Sequence, residues 1–473
     1  MERKPACNSD ANSDARRGER AGRTEYMEKD LTSGSVLKNI FTFSLPYLLS
    51  YFLQTLYGMA DLFIIGRFEG VASTTAVSIG SQVMHMITVI LVGVAMGTTV
   101  CIGRSVGAGD KKQAAKVIGN TVTLFMVGSV VLAAALVGLV DPIVRLISTP
   151  EEAVAGTTAY LTICFIGIPC ITAYNVLASI FRGMGDSRSP MYFIAAACVV
   201  NIGLDFFFMG ALRLGPAGAA LGTTLSQAVS VLLALCVILK RKSIRLSKSA
   251  FCPRKATMKD ILSIGLPVAP PDALTHVSCP RITIMPNQRD LTSAASAGLV
   301  EKIISFLFLV PSSMLSTVSA LGAQNIGAGK YDRTDDILRY AIAIGVGFGA
   351  VMALLMQFIA PSMVRPFTSD EAVVKAGAAY IRSYIFDCLF AGIQFSFSGY
   401  FCAWGRSGLS FLHNTLSILL VRVPGAWLAC RFFPQTLVPM GLAPACGSLF
   451  SSIVCILLYR WMKRQNKPTG DKD

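Results

Sequence analysis

The chain has 473 residues, 53% of them hydrophobic and only 15% charged, with a mean hydropathy of +0.58. A soluble globular chain carries about 25% charged residues, so a soluble enzyme or binding domain is excluded as the dominant architecture. The net charge of +15 would suit a nucleic-acid binder, but the basic residues sit in short stretches between apolar runs, where they set membrane orientation.

Residues 1–30 form a polar tail without apolar periodicity and are expected to be disordered. Met27 heads the compact stretch Met27-Glu28-Lys29-Asp30-Leu31, so residues 1–26 read as a dispensable start. The first apolar run begins near Ile40 and is too long for the core of a cleaved signal peptide. Runs near the ~20 residues needed to cross hydrocarbon then recur along the chain. They predict spans at 39–66, 77–103, 117–141, 155–182, 190–212 and 215–239, then at 259–285, 297–323, 337–360, 374–403, 408–430 and 437–461. The expected fold is an all-α membrane protein of twelve helices. Residues 31–240 make an amino-terminal lobe, 241–256 a basic linker, 257–463 a carboxyl-terminal lobe and 464–473 a tail.

Basic residues follow the even-numbered spans: Arg104, Lys111, Lys112 and Lys116 after the second, Arg182 and Arg188 after the fourth, seven from Lys240 to Lys255 after the sixth, and Lys463, Arg464 and Lys467 after the last. Loops after the odd spans are acidic or mixed, with Glu69, Asp141, Glu151 and Glu152. Both termini and the linker are therefore expected on the cytoplasmic side of a bacterial inner membrane. The halves also repeat. Gly107-Ala108-Gly109 returns as Gly327-Ala328-Gly329, and Tyr160 and Gly185 return as Tyr380 and Gly405, all at an offset of 220 residues. Leu45-Pro46 returns as Leu266-Pro267 at 221. Six spans bring the chain back to the same side, so the halves should be parallel repeats related by a pseudo-twofold axis along the membrane normal. Two such bundles enclose a central cleft, and rocking about it gives alternating access.

Charge inside a span is costly and marks function. Asp61 falls late in span one; Asn201 and Asp205 lie four apart, on one face of span five. Both carboxylates should sit at similar depth in the outer half of one bundle, as a shared cation site requires. In the carboxyl-terminal half the candidates for a cation or substrate site are Asp272, Asp387 and Glu301, although an interface ion pair with Lys302 would also explain Glu301. His85, His276 and His413 are isolated, and thirteen scattered cysteines contain no C-x-x-C pair. No metal site or disulfide framework is read. Gly107-Ala108-Gly109 reads as a tight turn, since no Lys-Ser/Thr follows it.

These residues bring out a resemblance over nearly the whole chain, about Leu31 to Lys463. Leu45-Pro46, Gln54-Thr55-Leu56-Tyr57, Asp61-Leu62-Phe63-Ile64-Ile65-Gly66-Arg67, Val106-Gly107-Ala108-Gly109, Phe181-Arg182-Gly183-Met184-Gly185-Asp186-Ser187, Asn201 with Asp205, and Gly322-Ala323-Gln324-Asn325-Ile326-Gly327-Ala328-Gly329 appear in order. The set resembles the multidrug and toxic compound extrusion (MATE) family, and its bacterial DinF-like branch in particular. The resemblance implies multidrug efflux, with export of small organic, often cationic, compounds by antiport with protons or sodium and no bound cofactor. It also implies that Asp61, Tyr160, Asn175, Asn201, Asp205 and Thr223 form a cation-coupling cluster in the amino-terminal lobe. The expected protein is a monomer in lipid. Protons entering from outside would neutralise Asp61 and Asp205, release a cationic substrate and let the helices repack; sodium held by Asp205, Asn201 and Asn175 would do the same. Span seven departs from the family pattern. It carries Pro267, Pro270, Pro271, Pro280, Pro286 and Arg281, and reads either as a strongly bent cavity-lining helix or as a broken one. Two other functions fit the sequence less well. A lipid-linked precursor flippase of the same superfamily would line its cleft with arginines, of which Arg281 and Arg422 are the main candidates. An integral-membrane transferase would need an Asp-rich metal motif or a His-Asp set at a membrane face, and neither is seen.

Overall fold

The computed structural model describes residues 30–147, 149–240, 250–268, 291–368, 370–433 and 436–465. Residues 1–29, most of the basic linker, Asp272, Pro270, Pro271, Pro280, Pro286 and Arg281 of span seven, and residues 466–473 lie outside the described residues.

The described chain is helical throughout, as a backbone that must satisfy its own hydrogen bonds in lipid requires. The first half contains α1 Val36–Phe68, α2 Val71–Gly107, α3 Lys111–Gly138, the short α4 Val140–Leu146, α5 Glu151–Ile166, α6 Ile168–Gly183, α7 Arg188–Asp205 and α8 Gly215–Lys240. The second contains α9 Lys255–Gly265, α10 Leu291–Leu307, α11 Leu309–Gly327, α12 Tyr331–Val364, α13 Glu371–Tyr384, α14 Phe386–Ala403, α15 Ser407–Ser417, α16 Val423–Phe432 and α17 Val438–Gln465. Ten stretches among the described residues are long and apolar enough to cross a membrane, and the bent pair α5–α6 makes an eleventh. Of span seven, expected at 259–285, only α9 and the turn to Val268 are described. The second span runs well beyond its expected limits of 77–103, over 37 residues.

Side chains set the boundaries and bends. Ser35 caps α1 by accepting from the Lys38 amide at 3.5 Å, and Asp110 caps α3 from Gln113 at 2.8 Å. Span four bends by 50° where α5 passes into α6. Pro169 stands in the first turn of α6, where it cannot donate to the helix before it and its ring crowds that helix's last carbonyls. The expected tight turn at Gly107-Ala108-Gly109 is present. Gly109 and Gly329 hold φ of +71° and +73°, and both turns close with the same hydrogen bonds, Asp110 N to Ser105 O at 3.0 Å and Lys330 N to Asn325 O at 2.8 Å. Only a residue without Cβ adopts that φ freely.

The exterior is apolar: Phe63, Val71, Val199, Leu239 and Phe358 are all more than 70% exposed. Water would penalise such a surface, whereas lipid accepts it. Small and polar groups fill the interior. The halves meet through glycine and alanine at the end carrying the basic loops, where α2 lies directly on α11 and α9. Arg104 donates to the Ala403 carbonyl at 3.0 and 2.7 Å, and Gln324 to Gly183 O at 3.0 Å. The segment before α1 docks on the other half, with Asn325 donating to Leu31 O at 3.3 Å and Arg333 to Gly34 O at 2.9 Å.

Candidate functional site

Four helices of the first half each present two chemical side chains at i and i+4: Tyr57 and Asp61 on α1, Tyr160 and Cys164 on α5, Asn201 and Asp205 on α7, and Thr223 and Gln227 on α8. That spacing stacks each pair on one helix face. Helices α1, α7 and α8 pack side by side, so three of the pairs face one another. Thr223 Oγ1 donates to Asp61 Oδ2 at 3.2 Å. The Asp61 carboxyl also lies against the carboxyl of Asp205 and the carboxamide of Asn201, and Tyr57 lies against Asp61 and Gln227. Asp61, Asn201 and Asp205 are 4%, 0% and 0% exposed.

The cluster is under-satisfied. Asp61 Oδ1, both Asp205 oxygens and both amide atoms of Asn201 are buried without a hydrogen bond to protein. Two carboxylates side by side in the interior repel each other and have lost their hydration, so the arrangement holds together only with a cation between them, proton or metal ion. Among the described residues no group of three His, Cys, Asp or Glu forms a metal centre. The oxygen set of Asp61, Asp205, Asn201 and Thr223 instead fits a monovalent ion or a shared proton.

Local sequence explains the shape. Asp205 ends the α-helical part of span five, and the next residues, Phe206–Ala211, continue as a π-helix. Such a widened turn changes helix register at functional sites. Gly222 on α8 gives the carboxylate its room: a Cβ there would collide with Asp205 Oδ1 and stand 3.6 Å from Asn201 Nδ2. Gly222→Ala should therefore insert at normal levels but cost about 1–3 kcal/mol of local overpacking, read as a lower melting temperature and impaired gradient-driven uptake in vesicles. Wild-type values for both would mean that Asp205 has space to move aside.

The structure brings Asp61, Thr223, Asn201 and Asp205 together, with Tyr160 beside them, buried near Asp61 and with its ring filling the space over Gly80. It does not bring Asn175 to the carboxylates. That amide donates to Ile171 O of its own helix at 2.9 Å and lines a cavity of ≈ 20 Å³ with Tyr47, Tyr51, Gln54 and Arg182. In the second half Asp387 is fully buried and held by Arg422 Nη2 at 3.4 Å, which also donates to Ser448 at 2.7 Å. A fixed cation thus stands at the residue expected to meet a mobile one. Glu301 is half-buried on α10, and Asp272 lies outside the described residues. Sequence reasoning missed Gln227 and Gly222. Gln227 was legible four residues beyond Thr223; Gly222 had no signal before the helices were docked.

A family model, MatE, matches residues 46–207 and 282–428. The chain is 28% identical over 435 residues to the probable multidrug resistance protein YpnP of Bacillus subtilis, covering 91% of this chain and 96% of that protein. It is 26% identical to the multidrug export protein MepA of Staphylococcus aureus, covering 80% and 84%. Its fold is similar to that of a multidrug resistance MATE family transporter of the MOP superfamily solved in an outward-facing conformation, with a TM-score of 0.84, 24% identity and coverage of 93% and 98%. The family match reaches across both halves and the fold is shared from end to end, so this multi-pass, all-α membrane protein belongs to the MatE family.

Proposed function

We propose that the chain is a secondary active multidrug exporter that moves small organic, often cationic, compounds outward in exchange for protons or sodium, with Asp61 and Asp205 as the coupling pair. The observation that carries this reading is the buried, under-satisfied pair of carboxylates on α1 and α7, with Thr223 donating to Asp61 and the Asn201 amide beside them. The relatives' names support it: a multidrug export protein and a multidrug resistance protein align over most of their lengths. The family is one of transporters rather than enzymes.

The exchange follows from the charge balance. With the cluster empty of cation its negative field favours a cationic substrate in the adjoining cleft. When protons or sodium enter, the field is cancelled, substrate leaves, and α1 and α7 repack. The finer architecture belongs to the same proposal. It comprises twelve spans in two six-helix lobes related along the membrane normal, cytoplasmic termini, a monomer, and the DinF-like branch. The matching turns at Gly109 and Gly329 support the two-lobe repeat, and the basic loops at one end support the orientation. The flippase alternative gains nothing from Arg422, whose guanidinium is tied to Asp387 and Ser448.

Inverted membrane vesicles test the reading. Uptake of a fluorescent cationic dye should follow an imposed pH gradient or an imposed sodium gradient. Vesicles that respond to neither, with the protein inserted, would rule out gradient-driven export.

A further inference from the structure

Helix α1 carries Tyr47, Tyr51, Gln54, Tyr57 and Asp61 at spacings of four, three, three and four residues. That is one polar stripe along one helix face. At ~1.5 Å per residue it spans ~21 Å, from the coupling carboxylates toward the end with the basic loops. Neighbouring helices complete it. Tyr57 meets Gln227, and Gln54 meets Tyr174. The cavity of ≈ 20 Å³ lies between Gln54 and Tyr47, room for about one water by the usual measure. Tyr47 Oη donates to Tyr51 Oη at 2.9 Å and accepts from Ser316 Oγ, on α11 of the other half, at 2.7 Å. Tyr47 and Asp61 are buried at its two ends, with Tyr51, Gln54 and Tyr57 half-buried between them, and such polar groups demand partners that an apolar packing face would not.

We propose that this stripe is a proton relay between Asp61 and the basic-loop side, and that the Tyr47–Ser316 hydrogen bond is its gate. The inference rests on the reading of Asp61 and Asp205 as the coupling pair, and it selects the proton over sodium. A sodium ion needs several oxygen ligands at every stop, which single side chains one helical turn apart do not supply; the Arg182 guanidinium, 5.1 Å over the Tyr47 ring, marks the far end of the route. A proton needs only hydroxyls that reorient. The O–H bond of protonated Asp61 breaks, each phenol oxygen on the route, and a water in the cavity beside Gln54, gains one hydrogen and passes on another, and the last proton leaves on bulk water. The Gln54 amide orients that water and transfers no proton itself. Every phenol ends neutral and Asp61 ends as carboxylate. The charged groups facing the route are Arg182 from α6, Asp61 from α1 and Asp205 from α7.

The gate follows from which half each partner belongs to. While the halves are closed, Tyr47 is 4% exposed and its hydroxyl is engaged by Tyr51 and Ser316. Parting α11 from α1 removes Ser316 and admits water to Tyr47. Proton release is thereby tied to opening of that end, which prevents a leak.

The test uses the purified full-length protein in lipid nanodiscs, with tetraphenylphosphonium as probe and a pH indicator to follow protons. Wild type should release protons when the probe is added. Tyr47→Phe keeps the ring under Arg182 and Tyr51→Phe keeps the helix packing. Each should slow release by about a hundred-fold, the usual worth of a positioned proton-transfer group, with unchanged probe affinity as evidence of correct folding. Ser316→Ala should let protons leak through vesicles without substrate. Release at the wild-type rate by both Phe variants overturns the relay, as does a wild type that exchanges sodium and releases no proton. Asp205→Asn separates the two ideas: if it also releases protons like wild type, the coupling pair itself has been misassigned.

Discussion

Asp205→Asn should insert at wild-type levels and lose gradient-driven export. The amide keeps the shape of the side chain, while the charge that a proton or sodium must cancel is gone. In electroneutral exchange of one monovalent cation for one proton, a gradient of one pH unit supports about a ten-fold substrate gradient. For the variant that ratio should fall to about one, measured as dye accumulation in inverted vesicles per inserted protein. The second half offers no substitute. The 220-residue offset sets Gly425 at the place of Asp205 and Val421 at that of Asn201, and Asp387 is already paired with Arg422. Asp387→Asn should therefore damage a different property. It strands a guanidinium that is 17% exposed, and breaking a buried pair costs about 3–5 kcal/mol. The expected signature is a lower melting temperature and less inserted protein, with the accumulation ratio per molecule retained. Full accumulation by Asp205→Asn, with Asp387→Asn inserted yet inactive, would move the coupling site to the other half.

The contrast between these two aspartates shows what the sequence can and cannot reveal. Asp61 and Asp205 were legible because intramembrane charge is rare and each keeps a polar residue on its own face, Tyr57 or Asn201. Their mutual contact was not, because it depends on how α1 lies along α7. Asp387 looked equivalent in one dimension. Its partner Arg422 is 35 residues away, at the end of the π-helix Ile418–Arg422, and no periodicity foretells which helix face a π-turn presents. Asn175 shows the same limit in reverse. Span four was expected as one helix, but the 50° bend at Gly167 turns α6 away from α5. Tyr160 stays beside Asp61 while Asn175 is carried to the Tyr47 cavity. The repeated Gly-Ala-Gly turns were correctly read as turns. Only their packing shows a second use for the glycines.

That second use sets the other large effect. Gly107→Val and Gly327→Val should each abolish transport, although both lie far from the carboxylates. A Cβ on Gly107 would overlap the Gln324 carbonyl oxygen and stand 2.7 Å from its carbon, and a Cβ on Gly327 would do the same to Arg104, 2.8 Å from its carbonyl carbon. The two glycines let α2 and α11 touch backbone to backbone, and the Arg104–Ala403 and Gln324–Gly183 hydrogen bonds form across that seam. Backbone cannot yield as a flexible side chain can, so the helices must separate and the closed arrangement loses population. Each ~1.4 kcal/mol of clash shifts that equilibrium ten-fold. An exporter held open at one end cannot complete a cycle however well its coupling site binds. Cys101 reports the change, since it sits partly buried on α2 within the seam. Its alkylation, followed by peptide mass spectrometry, should speed up by about ten-fold or more in either valine variant if the closed state is depleted to that degree. Gly347→Ala is the control: a Cβ there meets nothing within 4 Å, and transport should be unchanged. Wild-type transport and unaltered Cys101 reactivity in Gly107→Val would mean that this backbone seam is not a state the transport cycle must pass through.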